Sequence, residues 1–190
     1  MSKRFALIAA AAALALTASA AAPLSAESMS EKTVNVGGAP MYPSKNIVQN
    51  ASTADNLTTL VAAVKAADLV QTLESPGPFT VFAPTNDAFS KLPAGTVEML
   101  LKPENKDQLV KVLTYHVVPG RINAADLMKQ IKEGGGKATL KTANGETLTA
   151  SMQGKHVVLT DEKGGTSMVT MANVYQSNGV VHVIDAVLLP

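Results

Sequence analysis

The order of patterns along the chain predicts an α+β domain with a largely antiparallel sheet system. Three observations carry this. In the first half of the 190-residue chain, apolar residues recur at helical spacing, as in Leu57, Leu60, Val61, Val64, Leu69, Val70 and Leu73. The second half holds short apolar runs separated by turn signals such as Asn144-Gly145 and Asn178-Gly179. The last run, residues 180–189, is apolar on both strand faces, which marks a central or covered strand.

Residues 1–26 read as an export signal, cleaved between residues 20 and 26. Ser2-Lys3-Arg4 gives a basic start, residues 5–16 are apolar and uncharged, and Ala18-Ser19-Ala20 fits a small-x-small cleavage site. A spanning helix needs about 20 apolar residues, and this run is interrupted by Thr17, Ser19 and Pro23. Residues 27–43 are polar and punctuated by Gly37-Gly38-Ala39-Pro40, so they read as a flexible polar linker ahead of one domain at 44–190.

Within the domain, Ser44 is placed to cap a short helix through Ile47 and Val48. The helical pattern from Leu57 to Leu73 ends at Ser75-Pro76-Gly77-Pro78. Residues 79–83 then form a short apolar run, read as a buried strand. Pro84 ends it, and Thr85 is expected to cap the next helix, with Asp87 in the first turn where the helix dipole favours negative charge. Helices are expected over 96–101, 106–113 and 124–131, the last capped by Asn123. Tyr115 and His116 read as neighbours on a strand, pointing to opposite faces. Strands are expected at 138–140, 147–151, 157–160, 168–175 and 180–189. The turn at 161–165 between two of them, with Asp161-Glu162 before Lys-Gly-Gly, reads as a solvated hairpin end.

Composition excludes several functions. Removing Lys3 and Arg4 with the signal leaves 14 basic residues against 15 acidic ones, a formal charge of −1. That balance offers no footprint for DNA or RNA. The absence of Cys rules out thiol catalysis and thiolate metal sites. The three histidines, His116, His156 and His182, lie at no metal-ligand spacing, so neither metal nor cofactor is expected. No GxSxG or comparable nucleophile motif occurs, which disfavours a hydrolase. Asn50-Ala-Ser52 and Asn56-Leu-Thr58 fit the glycosylation pattern, but the signal and the lack of Cys lean bacterial, so they are expected to be unmodified.

Three segments carry a resemblance to a known family. They are Thr80-Val-Phe82-Ala-Pro84-Thr85-Asn86-Asp-Ala-Phe89, then Tyr115-His116-Val-Val-Pro119-Gly120, then Gly179-Val-Val-His182-Val-Ile-Asp185-Ala-Val-Leu-Leu-Pro190. In this order and spacing they resemble the fasciclin domain, a secreted adhesion module. The resemblance implies a wedge of two small, largely antiparallel sheets with helices packed at one side. It also implies an exported, soluble, non-enzymatic module, periplasmic or secreted and expected to be monomeric. Its partner would be a protein or polysaccharide in cell–cell, cell–matrix or host-surface contact. A carbohydrate- or lignocellulose-binding domain is the alternative, although the mature chain has no Trp for stacking on sugars.

Candidate partner-binding positions follow from the same resemblance. Tyr115 and His116 match the family's central Tyr-His motif, linked in animal members to receptor adhesion. Six and five residues before Gly179, many animal members carry an Asp-Ile pair tied to integrin binding. Here Asn173 and Val174 stand there, and Asn supplies no charged oxygen for a receptor metal. Integrin-type recognition is therefore not expected. Thr80, Phe82, Pro84, Thr85, Asn86, Phe89, Gly179, His182 and Asp185 are read as framework residues.

Overall fold

The computed structural model describes residues 33–190. The export signal expected at 1–26 lies outside the described residues. Strands β1 (Val34–Val36) and β2 (Ala39–Met41) form an antiparallel hairpin. For the described residues 33–43, this corrects the flexible linker expected at 27–43. Gly37 and Gly38, at φ of 57° and 82°, make the tight turn, and Val36 and Met41 are buried in the core. The ordered domain therefore begins before residue 44.

Five helices follow in close order. They are α1 (Ile47–Ala51), α2 (Thr58–Ala66), α3 (Val70–Glu74), α4 (Asn86–Ser90) and α5 (Thr96–Leu100), with strand β3 (Phe79–Pro84) between α3 and α4. Asn46, not Ser44, caps α1: its side chain accepts from Gln49 N while the Gln49 side chain accepts from Asn46 N, a reciprocal capping box. The single helix expected from Leu57 to Leu73 is broken into α2 and α3. Asp68 at φ 55° turns the chain there, a conformation that Asp tolerates better than most residues. Thr85 caps α4 as expected, its hydroxyl accepting from Ala88 N at 3.3 Å.

Next come α6 (Lys106–Tyr115), β4 (Val117–Pro119) and α7 (Ala124–Glu133), the last capped by Asn123 as expected. Tyr115 and His116 thus lie at the end of a helix, not on an alternating strand. The His116 amide donates to Leu113 O, so the helical turn holds through Tyr115. Strands β5 (Lys137–Lys141), β6 (Thr147–Gln153), β7 (His156–Thr160), β8 (Thr166–Gln176) and β9 (Gly179–Ile184) complete the chain. The last strand stops at Ile184 because the backbone bends at Asp185, whose amide donates to Met168 O at 3.2 Å.

Seven strands hydrogen-bond in the order β4-β3-β9-β8-β7-β6-β5. Only β3–β9 is parallel among these pairs. The long β8 belongs to two parts of the sheet. Thr166–Met168 pairs with β7, and after two register shifts its far end pairs with β9. The edges β4 and β5 also meet: Ala143 N, just past β5, donates to Val117 O at 2.7 Å.

This curl creates two cores. One lies between the helices and one face of β3 and β9, and includes Leu60, Leu113, Val81, Ala83, Val181 and Val183. The other faces inward and is closed by α7, joining Leu127 and Ile131 to Phe82, Leu148, Leu159 and Ile184. Alternate residues of β3 and β9 therefore enter different cores, which is why both faces of these strands are apolar.

Candidate functional site

The three sequence segments converge where β3, β9 and the end of α6 meet. Phe82 and His182 are register partners, their rings stacked at 5.6 Å between centroids. Phe82 N donates to His116 O at 2.9 Å, tying β3 to the end of α6. Thr80 Oγ1 donates to Gly120 O at 2.7 Å and accepts from Ile122 N at 2.8 Å, pinning the turn after β4. Asn86 Oδ1 accepts from Thr59 N at 3.0 Å and its Nδ2 donates to Asp55 O at 3.0 Å, joining α4 to the start of α2. Phe89 is buried in the helical core. Pro84 sits opposite Ile184 at the last register position of β3, where the strand ends. Gly179 is fixed by proximity: a Cβ there would lie 2.1 Å from Phe79 O.

The two histidines of these segments are buried and neutral, with opposite tautomers. His116 Nδ1–H donates to Val112 O at 2.7 Å, and its Nε2 accepts from Leu188 N at 3.1 Å. His182 Nε2–H donates to Ile122 O at 2.9 Å, and its Nδ1 accepts from Asn173 N at 3.4 Å. Every ring nitrogen of the pair is thus committed to the backbone. Burial lowers the His116 pKa to about 4 and lowers that of His182, the hydrogen bonds to Val112 O and Ile122 O opposing. Burial likewise pushes the Tyr115 phenol up to about 12. Its hydroxyl donates to Thr147 O at 2.8 Å.

Asp185 is half-buried. Burial raises its pKa, but the Met168 amide at 2.8 Å, the Lys91 ammonium at 3.4 Å and the Ser167 hydroxyl outweigh this and hold the carboxyl below its usual value.

These shifts set an acid limit on stability. A His whose pKa is lower folded than unfolded binds its proton mainly in the unfolded state. Its stabilisation is complete above the unfolded pKa of about 6.5 and is lost as pH falls toward the folded value. For His116 the window runs from about 6.5 down to about 4, a loss of roughly 3 kcal/mol. His182 acts with the same sign. Asp185 contributes below this window, because its lowered carboxyl pKa keeps its stabilisation until pH drops past the unfolded carboxylate value. Urea unfolding across this range is expected to show stability falling steadily between pH 6.5 and pH 4. His116→Ala should flatten that fall.

The positions expected to contact a partner divide sharply. Tyr115, His116 and Val174 are at most 2% exposed, so their side chains are packed inside the domain. Asn173 is half-buried in the bulge of β8, at φ 61°. Its Oδ1 accepts from Ala124 N at 2.7 Å, at the start of α7. Beyond Met168, β8 pairs with β9 alone among the described strands, so this stretch is a sheet edge. Near its end stand two exposed side chains that sequence patterns do not single out. Tyr175 is 43% exposed, and Arg121 donates to Gln176 O at 3.3 Å and Ser177 O at 3.4 Å.

Sequence patterns also miss several buried polar residues. Asn178 Nδ2 donates to Leu73 O at 2.6 Å and its Oδ1 accepts from Ile47 N at 3.1 Å, bridging α1, α3 and β9. The Asn50 amide donates to Gln176 and to Tyr42 O. Asn50 is 1% exposed, which removes it as a glycosylation acceptor. Asp161, expected at a solvated hairpin end, is buried instead. It accepts from Lys163 N, Gly165 N and Leu189 N, so it holds the turn and the final segment together.

The fasciclin domain family model matches residues 55–190. The chain belongs to the fasciclin domain family. This fasciclin domain is 52% identical over 160 residues to Protein sll1483 of Synechocystis sp., covering 84% of this chain and 82% of that protein. It is 39% identical over 145 residues to immunogenic protein MPB70 of Mycobacterium bovis, covering 74% and 66%. Human periostin is 32% identical over 136 residues, but these make up 15% of periostin. The fold of this chain matches a FAS1 domain pair from the insect cell adhesion molecule fasciclin I with a TM-score of 0.69 at 19% identity. The match covers 78% of this chain and 52% of that chain, about one domain of the pair. No helix among the described residues is long and apolar enough to cross a membrane.

Proposed function

We propose that this fasciclin domain is an exported, non-enzymatic adhesion module that binds a protein on a cell, matrix or host surface. Its docking site is the outer edge of β8, around Asn173, Tyr175 and Arg121. The observation that carries the location is the contrast in burial: Tyr175 is 43% exposed on an edge strand, whereas Tyr115 is 0% exposed. An edge strand can be reached from outside the sheet, and the bulge limits indiscriminate pairing with other strands. Tyr and Arg are the residue types that most often dominate binding energy at protein interfaces. Membership of the fasciclin family supports the adhesive role.

The test uses beads coated with the exported protein and cells of the producing organism. Tyr175→Ala and Arg121→Glu are each expected to weaken bead–cell adhesion about tenfold or more while leaving thermal stability nearly unchanged. Full adhesion by both variants would reject the site. Protease treatment of the cells should abolish adhesion. Loss only after polysaccharide digestion would favour the carbohydrate reading. Asn173→Asp retains the acceptor for Ala124 N and should not create metal-dependent adhesion to animal cells.

A further inference from the structure

The helical core contains a cavity of about 80 Å³ walled by α1, α2, α3, α6, β3 and β4. Its lining includes Ile47, Ala51, Val61, Val64, Val81 and Leu113. Two polar side chains on its wall are already engaged, while Thr72 lies at its exposed rim. Both nitrogens of His116 bond to backbone, and Thr114 Oγ1 donates to Val110 O at 2.6 Å. A water molecule needs two to four polar partners, so water gains little here although the space is ample. Native interiors pack near crystal density, and an empty space denies its walls their dispersion contacts. An apolar guest restores those contacts. A second void of about 20 Å³ shares Ile47, Ala51, Leu60 and Val81 as walls, so the slack continues deeper into the same core.

The cavity is not sealed. Val48, Val61 and Val70 line it and are half-buried, and Lys65 lines it and is exposed. Among the described residues, Lys65 is also its only charged lining residue. The nearby Asp68 carboxylate is paired with Lys106. The mouth therefore favours a negative group beside an apolar body.

We infer that this cavity is a binding site for a short-chain carboxylate of the fatty-acid class, its few alkyl carbons among α1, α2 and α6 and its carboxylate at Lys65, since a cavity of about 80 Å³ is roughly half the size of one that holds benzene. The site is separate from the β8 edge, so it stands or falls independently of the adhesive role.

Methyl-labelled exported protein would be titrated with butanoate, hexanoate and decanoate, with hexanol as a neutral comparator. Saturable shifts are expected for methyls of Ile47, Val61, Val64 and Leu113, with the strongest response from the chain length that fills the cavity. Ala51→Phe places a ring in the space and should abolish these shifts. If Ala51→Phe does not fold, Lys65→Glu carries the test, because Lys65 is exposed. It should weaken carboxylate binding about three- to tenfold, as expected for reversing one exposed charge, and leave hexanol binding unchanged. No saturable shift with any of the three acids, shifts centred on methyls outside the helical core, or equal carboxylate binding by Lys65→Glu would each overturn the assignment.

Discussion

His116→Ala is expected to lower the stability of the domain by about 3–5 kcal/mol. The substitution removes a side chain that is 2% exposed and strands two buried backbone groups. Val112 O loses its donor and Leu188 N loses its acceptor. Leaving one buried polar group unpaired costs about 1–3 kcal/mol, and the cavity left behind adds to this. The Leu188 contact ties the last residues of the chain to the end of α6, 72 positions away in sequence, so its loss should also free the C-terminal segment. Urea unfolding would show a lower midpoint, and amide exchange would rise at Leu188. An unchanged midpoint would mean that the imidazole has a role other than bridging these two backbone groups.

Gly179→Ala is expected to cost about 4 kcal/mol or more, enough to prevent accumulation of folded protein. The cause is not backbone strain. A Cβ at this position would sit 2.1 Å from Phe79 O and 3.1 Å from Phe79 N, and those backbone atoms cannot move without opening the parallel pairing of β3 and β9. That pairing separates and supports both cores. Gly145 provides the contrast. It sits at φ 92° in the β5–β6 turn, and a Cβ there would meet nothing within 4 Å. Gly145→Ala should therefore cost only the conformational penalty, about 1–2 kcal/mol. Circular dichroism melts of the two variants side by side separate a steric glycine from a conformational one.

The hairpin strands are the most legible elements. In Lys137-Ala-Thr-Leu-Lys141, alternating exposure follows the alternating side chains, and Asn144-Gly145 supplies the turn. Helical spacing also finds the segment containing α2 and α3, but it cannot show that Asp68 breaks it. That depends on one residue entering a left-handed conformation, which leaves no trace in hydrophobic periodicity. The β1–β2 hairpin is obscured by its length. Each strand has three residues, too few for alternation to stand out, and the Gly37-Gly38 turn looks like linker punctuation.

Pattern alone misplaces Tyr115-His116 because the apolar run Tyr115–Val118 has no period of its own. The helix is extended into it by a backbone bond to Leu113, not by side-chain pattern.

The framework roles of Thr80, Thr85, His182 and Asp185 are foreseeable, since polar side chains in apolar segments need partners. The partners themselves are not. Asn178 reaches Leu73 O across 105 residues, and no local pattern encodes such a distance. The exposed pair at the β8 edge is hidden for a related reason. Tyr175 looks like any aromatic in an apolar strand until the register shows that this half of β8 has one strand neighbour.

On the function proposed, the recognisable segments build the fold while the β8 edge meets the partner. The most direct test measures bead–cell adhesion and thermal stability together for His182→Ala and for the double variant Tyr175→Ala/Arg121→Glu. The double variant is expected to keep its melting temperature and lose adhesion. His182→Ala is expected to melt earlier, yet retain adhesion at temperatures where it remains folded. A His182→Ala protein with unchanged melting and no adhesion, alongside a fully adhesive double variant, would contradict the account and place recognition at the buried segments instead.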